Sequence, residues 1–293
     1  MSQTVIESTS LHKSFGKKNV LSGVDLAIPE SRVVGLLGVN GSGKSTFIKC
    51  LLGLLRATKG SATLFGEDSW DISALTKARI GYVAQELNLF PWMRVDQLVQ
   101  YTAAFYSEWD HDFVNKLLDE WDVPRKDRVG PLSAGQLHKL GIILALGHRP
   151  QLLILDEPVA SLDPAARREF LRSLIEFSQE ESRTVLFSTH ITSDLERVAS
   201  HVAILKDGRI SFFDELDKLK ESVKRLRITS ADPLPNNFVV SGALRTEVQG
   251  CSALAAVPSI SSSVVDGLRR DWNADVQIED LNLEEIFLEL HDA

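Results

Sequence analysis

Cysteine, methionine and tyrosine are scarce in this sequence of 293 residues, at two, two and three. Cys50 and Cys251 stand far apart and fall in no metal-binding or redox spacing, which excludes a disulfide framework and a cysteine-built metal site. Long hydrophobic runs are also missing. The longest extend about eight residues, as at 140–147, far short of the ~20 that cross a bilayer. The first residues hold no basic patch followed by an apolar core, so no secretory signal is expected, and the reading is a reduced, cytosolic protein. With 44% hydrophobic and 25% charged residues, global disorder is excluded.

Neither sign of charge dominates strongly. The net is −8, but it is unevenly spread: residues 1–213 carry 25 acidic and 24 basic side chains, residues 214–293 carry 15 and 8. The split suggests two units of different kinds, with a break near Lys224, and argues against nucleic acid as the main ligand of the second; no nucleic-acid partner is expected.

Three short, almost wholly apolar runs each end abruptly in polar residues: 33–37 before Gly38, 152–155 before Asp156, and 185–187 before Ser188-Thr189-His190. Such runs read as buried parallel strands. Helical patterns lie between them, at 44–55 and at 164–177, the latter with Asp163 as N-cap and Pro164 at its first position. The alternation predicts an α/β layer fold, in which ligands collect at the carboxyl ends of the strands. Residues 91–128 show helical periodicity and no strand, and read as a helical insertion. In the tail, 226–229, 238–241 and 276–278 read as strand pieces, and 251–263 as loop with some helix. A last helix is capped by Asn282 with Glu285 three residues on.

The chemistry concentrates where the apolar runs end. Gly38-Val39-Asn40-Gly41-Ser42-Gly43-Lys44-Ser45 fits the phosphate-loop pattern, and it follows a predicted strand and opens a helix, as the mechanism requires. The glycines let successive N–H groups point at one centre, forming an anion nest. Lys44 is placed to reach the β- and γ-phosphates, Ser45 to ligate Mg²⁺, and Thr46 to touch the α-phosphate. Asp156 suits Mg²⁺ through its water shell. Glu157 suits a group that polarises the attacking water, although Asp-Glu-Pro is equally a plain strand end. His190 follows a strand expected to end beside the γ-phosphate, whereas the other six histidines have no such position.

Together with further motifs in the same order, these residues resemble the ATP-binding subunit of ATP-binding-cassette (ABC) transporters, over about residues 3–220. Leu132-Ser133-Ala134-Gly135-Gln136 resembles the signature sequence of that family, Gln85 its glutamine loop, and Ser161-Leu162-Asp163 its D-loop. Phe15 stands where an aromatic stacks on adenine. The resemblance implies a phosphate-loop NTPase cassette over 1–222, with a parallel-sheet core and a helical subdomain at about 91–140; the change of pattern near Lys224 adds a small α+β C-terminal domain over 223–293. The resemblance also implies ATP and Mg²⁺ as ligands, Gln85 as a Mg²⁺ sensor, and a second cassette whose Ser133, Gly135 and Gln136 bind the phosphate held by Lys44. Transmembrane permease subunits are the implied partners, at the inner face of the cell membrane. Two departures stand out. Ala134 replaces a glycine, with a cost if φ must be positive, and Phe15 replaces the commoner tyrosine, which keeps the stacking face.

The tail helix, from Leu281 to Leu290, is similar to that of cassettes serving exporters of drugs, antibiotics, sodium or polysaccharide. It is also an ordinary amphipathic helix, with Leu283, Ile286, Phe287 and Leu290 on one face. The expected function is ATP hydrolysis that powers export. The competing reading is a soluble ATPase of the same family acting on ribosomes or DNA. A GTP switch or small-molecule kinase leaves residues 132–136 unexplained.

Overall fold

The computed structural model describes residues 3–159, 162–179, 183–258, 260 and 262–292. The chain opens with two long strands, β1 (Thr4–Phe15) and β2 (Lys18–Pro29), then β3 (Val33–Leu37) and α1 (Lys44–Leu51). β4 (Lys59–Leu64), β5 (Glu67–Asp68), α2 (Ala74–Lys77) and β6 (Ile80–Val83) follow. Three helices, α3 (Val95–Ala103), α4 (His111–Glu120) and α5 (Ala134–Leu146), lead to β7 (Leu152–Asp156), α6 (Pro164–Gln179), β8 (Thr184–Thr189), α7 (Thr192–Val198), β9 (His201–Lys206) and β10 (Arg209–Glu215). The remainder is α8 (Leu216–Ser222), β11 (Lys224–Ser230), β12 (Arg245–Gln249), β13 (Ser252–Val257), α9 (Ser262–Asp271), β14 (Ala274–Asp280) and α10 (Leu283–Asp292).

Contacts divide the chain into two compact units, Met1–Phe213 and Asp214–Ala293. This division falls nine residues before the sequence boundary at 222/223, and α8 occupies the interval.

The first unit holds the α/β core. Its six-stranded sheet has the order β10-β9-β3-β8-β7-β6, and β3, β6, β7, β8 and β9 pair in parallel. Every residue of β3, β7 and β8 is buried, which is why these strands read as unbroken apolar runs. A separate antiparallel sheet, β2-β1-β4-β5, shares their core. Phe47, Ile48 and Leu51 of α1 are fully buried in one cluster with Leu36, Ile154 and Leu186 of the parallel sheet and Ile6, Leu11 and Ile28 of the antiparallel one. Each such side chain contributes about 1.5–3 kcal/mol by leaving water, so α1 is anchored where its first turn meets the phosphate loop.

α1 stops at Leu51, four residues short of the predicted end at 55. Gly53 is left-handed there (φ 67°), and a Cβ on it would lie 2.0 Å from the carbonyl oxygen of Ser69, so chain packing ends the helix. The insertion at 91–128 is helical, with only an isolated bridge between Arg94 and Arg128. α6 opens as expected, with Asp163 Oδ1 accepting from the N–H groups of Ala165 (2.9 Å) and Ala166 (3.0 Å).

The second unit is an antiparallel sheet, β12-β13-β11-β14, with α9 packed on it. Two expectations are corrected here. Residues 238–241 are not a strand. Phe238 and Val240 are buried and Val239 is exposed, so the alternation is real, but the segment packs on the core without pairing to a neighbour. Residues 251–263 contain β13, an interior strand, and β12 precedes it. Ala253, Ala255 and Ala256 are small enough to lie close under their cover, and alanine carries little strand propensity to betray them. The Asn282 cap is present: its Oδ1 accepts from Glu285 N (2.9 Å), and Glu285 Oε2 accepts from Asn282 N (3.0 Å).

Candidate active site

The carboxyl ends of β3, β7 and β8 bring the predicted residues together. Asn40, Gly41, Gly43, Lys44, Ser45, Thr46, Gln85 and Glu157 line one cleft of about 420 Å³, joined by Lys18 and Val20 of β2. Two glycines are obligatory here. A Cβ at Gly38 would stand 2.6 Å from Ser42 Oγ and 2.8 Å from the carbonyl oxygen of Leu205. Gly43, at φ 107°, caps α1 in the left-handed region and runs against the carbonyl of Val20. Val39 turns the loop, its carbonyl accepting from Ser42 N at 3.2 Å.

Lys44 is 4% exposed, and all three of its donors are engaged. Its Nζ donates to the carbonyls of Gly38 (2.8 Å) and Val39 (3.2 Å) and pairs with Glu157 Oε1 at 3.2 Å. The other Glu157 oxygen, Oε2, lies 3.3 Å from His190 Nδ1. Glu157 thus sits between a lysine ammonium and an imidazole. Its backbone is left-handed (φ 49°), a conformation that costs a non-glycine residue about 1–2 kcal/mol. The Thr189 hydroxyl accepts from Ile191 N at 2.9 Å, closing the turn that presents His190.

Asp156 is 1% exposed at the end of β7, and its charge together with burial pushes the Tyr82 hydroxyl up to about 12, burial being the larger effect. Ser188, opposite Asp156 in the β7–β8 register, donates from Oγ to Asp156 Oδ1 (2.7 Å) and accepts from Glu157 N (2.8 Å). Sequence reasoning missed Ser188 as a site residue. Its signal was there: it is the first polar residue after the third apolar run, as Asp156 is after the second.

Other predicted residues lie apart from the cleft. Phe15 ends β1, about half-exposed, with Lys13 Nζ 4.9 Å from its ring centroid. Ser133, Gly135 and Gln136 open α5: Ser133 Oγ accepts from Gln136 N (3.2 Å), and Gln136 Oε1 accepts from Ser133 N (3.1 Å). That helix begins at Ala134. Ala134 has no positive φ, so the feared strain does not arise. Asp163 caps α6, and those two backbone N–H bonds hold its carboxyl below the ordinary aspartate value. Ser161 lies outside the described residues.

The residues fit the ligands that the motifs imply. The loop at Gly38 has no room for a Cβ, as a backbone wrapped around an anion requires. Ser45, Gln85 and Asp156 offer only oxygen donors, the set that Mg²⁺ takes.

Known proteins bear on this geometry. The ABC transporter family model matches residues 21–160. The chain is 31% identical to the ABC transporter ATP-binding protein YhaQ of Bacillus subtilis, over 94% of this chain and 95% of that protein. It is 30% identical to the bacitracin transport ATP-binding protein BcrA of Bacillus licheniformis, over 74% and 72%. The dimeric structure of a bacterial ABC transporter cassette superposes with a TM-score of 0.65 at 23% identity, covering 72% of this chain and 98% of that one. The match reaches the C-terminal unit through YhaQ, and the phosphate loop and the Asp156-Glu157 pair fall within the family model. The chain belongs to the ABC transporter family, as one of its ATP-binding proteins, and is an ATPase.

Proposed function

We propose that this ATPase powers export as one of a pair of cassettes, most simply two copies of this chain, attached to separate transmembrane permease subunits at the inner face of the cell membrane. The observation that carries the reading is the position of Glu157 between Lys44 and His190 on the phosphate-loop cleft.

Lys44 has three protons, given to Gly38, Val39 and Glu157. A γ-phosphate entering the loop competes for the third, the only one not held by the loop's own backbone. That exchange releases the Glu157 carboxylate to accept a proton from water, whose oxygen forms the new bond to the γ-phosphorus as the bond to ADP breaks. His190 orients the carboxylate through Nδ1. Ser45, Gln85 and Asp156 would hold Mg²⁺, Asp156 through its water shell, and the ion would supply charge neutralisation.

Ser133, Gly135 and Gln136 stand outside the cleft, at the N-terminus of a helix thirteen residues long. This supports their use on a second cassette's phosphate, as does the dimeric form of the related solved cassette. Docking of a partner is supported by four exposed aromatics on the insertion that follows Gln85. Phe90, Trp92, Tyr101 and Phe105 form a chain with centroids 5.1–5.5 Å apart. No helix among the described residues is long and apolar enough to cross a membrane. The tail's likeness to exporter cassettes and the bacitracin transport relative support export.

The test is isolation of the tagged chain from native membranes. A polytopic membrane protein recovered in stoichiometric amount is the expected result. Recovery only with ribosomes or nucleoid would replace the proposal by the soluble ATPase reading.

A further inference from the structure

We propose that Ser188 is a positioning residue for hydrolysis, its single hydroxyl locking Asp156 and Glu157 into one rigid unit. The proposal rests on the reading of Glu157 as the proton acceptor.

Ser188 is wholly buried, and a buried hydroxyl that both donates and accepts has a fixed rotor. Here the proton points to Asp156 Oδ1 and a lone pair faces the Glu157 N–H, at 2.7 and 2.8 Å. The acceptor direction matters because Glu157 leaves its strand in a left-handed conformation, which persists only where the surroundings determine it. Its N–H is the backbone group nearest that bend, and Ser188 Oγ is the atom that holds it. The donor direction ties the same hydroxyl to the residue just before. Strand pairing makes the geometry rigid, since Asp156 and Ser188 are direct partners in adjacent parallel strands.

The next two residues along the same strand end complete the arrangement. The Thr189 hydroxyl closes the turn, and His190 meets the Glu157 carboxylate at 3.3 Å. Backbone and side chain of Glu157 are thus held from one tripeptide. Ser188 is wholly buried, so its influence on the reaction passes through the two residues it bonds, Asp156 and Glu157. The Glu157 route is the one the kinetics test. A small displacement of a group poised for proton transfer costs rate far more than it costs binding.

The test is steady-state kinetics and nucleotide binding on the full-length chain. Ser188→Ala is expected to lower kcat for Mg-ATP hydrolysis roughly 10- to 100-fold, a part of the roughly 10²–10⁴-fold that a positioned general base contributes. KM, and the Kd for ATP measured in EDTA, are expected to stay within about threefold. Ser188→Thr, which restores the hydroxyl, is expected to recover most of the loss. In the Glu157→Gln background, single-turnover rates are expected to show little further effect of Ser188→Ala, because the partner it positions is already gone. Ser188→Cys keeps the side-chain volume and weakens both hydrogen bonds, and serves under the same criteria if the alanine chain does not fold.

Three results would overturn the proposal: kcat within threefold of wild type, a loss of ATP binding that matches the loss of kcat, or a full multiplicative loss in the Glu157→Gln background. An active Glu157→Gln chain would instead remove the reading beneath it, so the two failures are distinguishable.

Discussion

Glu157 and Lys44 hold each other in the cleft, yet their removal should act on different quantities. Glu157→Gln keeps the shape and loses the charge that takes the proton, so steady-state hydrolysis should fall roughly 10²–10⁴-fold while ATP still binds. Lys44→Ala removes a charged phosphate contact worth about 1.5–3 kcal/mol, so nucleotide affinity itself should fall roughly ten- to hundredfold. Parallel kinetic and calorimetric titrations check the pair, and turnover of Glu157→Gln within a few-fold of wild type would refute the assignment. A third residue, His148, reports on stability. It is buried against Tyr106, stacked at 4.0 Å, and burial lowers its pKa to about 4. Its unfolded value is ~6.5, so the stability of the neutral imidazole is fully present above that pH and is lost as pH falls toward 4. Urea unfolding at pH 7 and pH 5 should therefore differ by about 2 kcal/mol more in the wild type than in His148→Phe. At this scale the phosphate loop, Asp156 and Glu157 were legible because their spacing is fixed by the ligand. The position of Ser188 was marked too, but its role was not legible, because it depends on a register between strands 32 positions apart.

The N-terminus of α5 makes a sharper test of the element than of any one residue. Ser133 and Gln136 satisfy each other's backbone in a capping box, which stabilises the helix whether or not a phosphate arrives. In the Glu157→Gln background, Mg-ATP should convert monomer to dimer by size measurement, and ADP should not. Ser133→Arg should abolish that dimer while each monomer still binds ATP. A dimer that survives the substitution would make the motif a helix cap and nothing more. Ser133→Ala should cost about 1 kcal/mol of stability through the cap alone. Among the elements, the parallel strands β3, β7 and β8 were plain in the sequence because both of their faces are covered, whereas β6 and β9, each with partly exposed positions, were not. β12 and β13 were obscured for opposite reasons. β12 alternates exposed and half-covered residues with no fully buried face, and β13 is mostly alanine and serine, with alanine favouring helix over strand. The helical insertion was readable from its period, since Val114, Leu117 and Leu118 make one buried stripe of α4.

For the whole molecule, the nucleotide residues all precede β9, and the second unit has its own core around Leu226, Ile228, Ala255 and Val276. A chain of residues 1–222, which keeps β10 intact, should therefore fold cooperatively and bind ATP with near wild-type affinity. Insolubility, or loss of nucleotide binding, would show that the tail completes the cassette. The charge imbalance between the two parts was visible from composition, whereas the position of their division, before α8 rather than after it, was not.

The two cysteines divide along the same line. Cys50 lies in α1, 3% exposed, and burial raises its thiol above the usual range, so it is nearly inert at neutral pH. Cys251 lies in the turn before β13, partly exposed. A maleimide dye should therefore modify the native chain once and the urea-unfolded chain twice, as mass spectrometry would count. The protein thus carries its own single attachment point for a fluorophore, in the C-terminal unit. Wild-type chain, without engineered mutations, can be made to report by light when that unit meets a permease or another cassette.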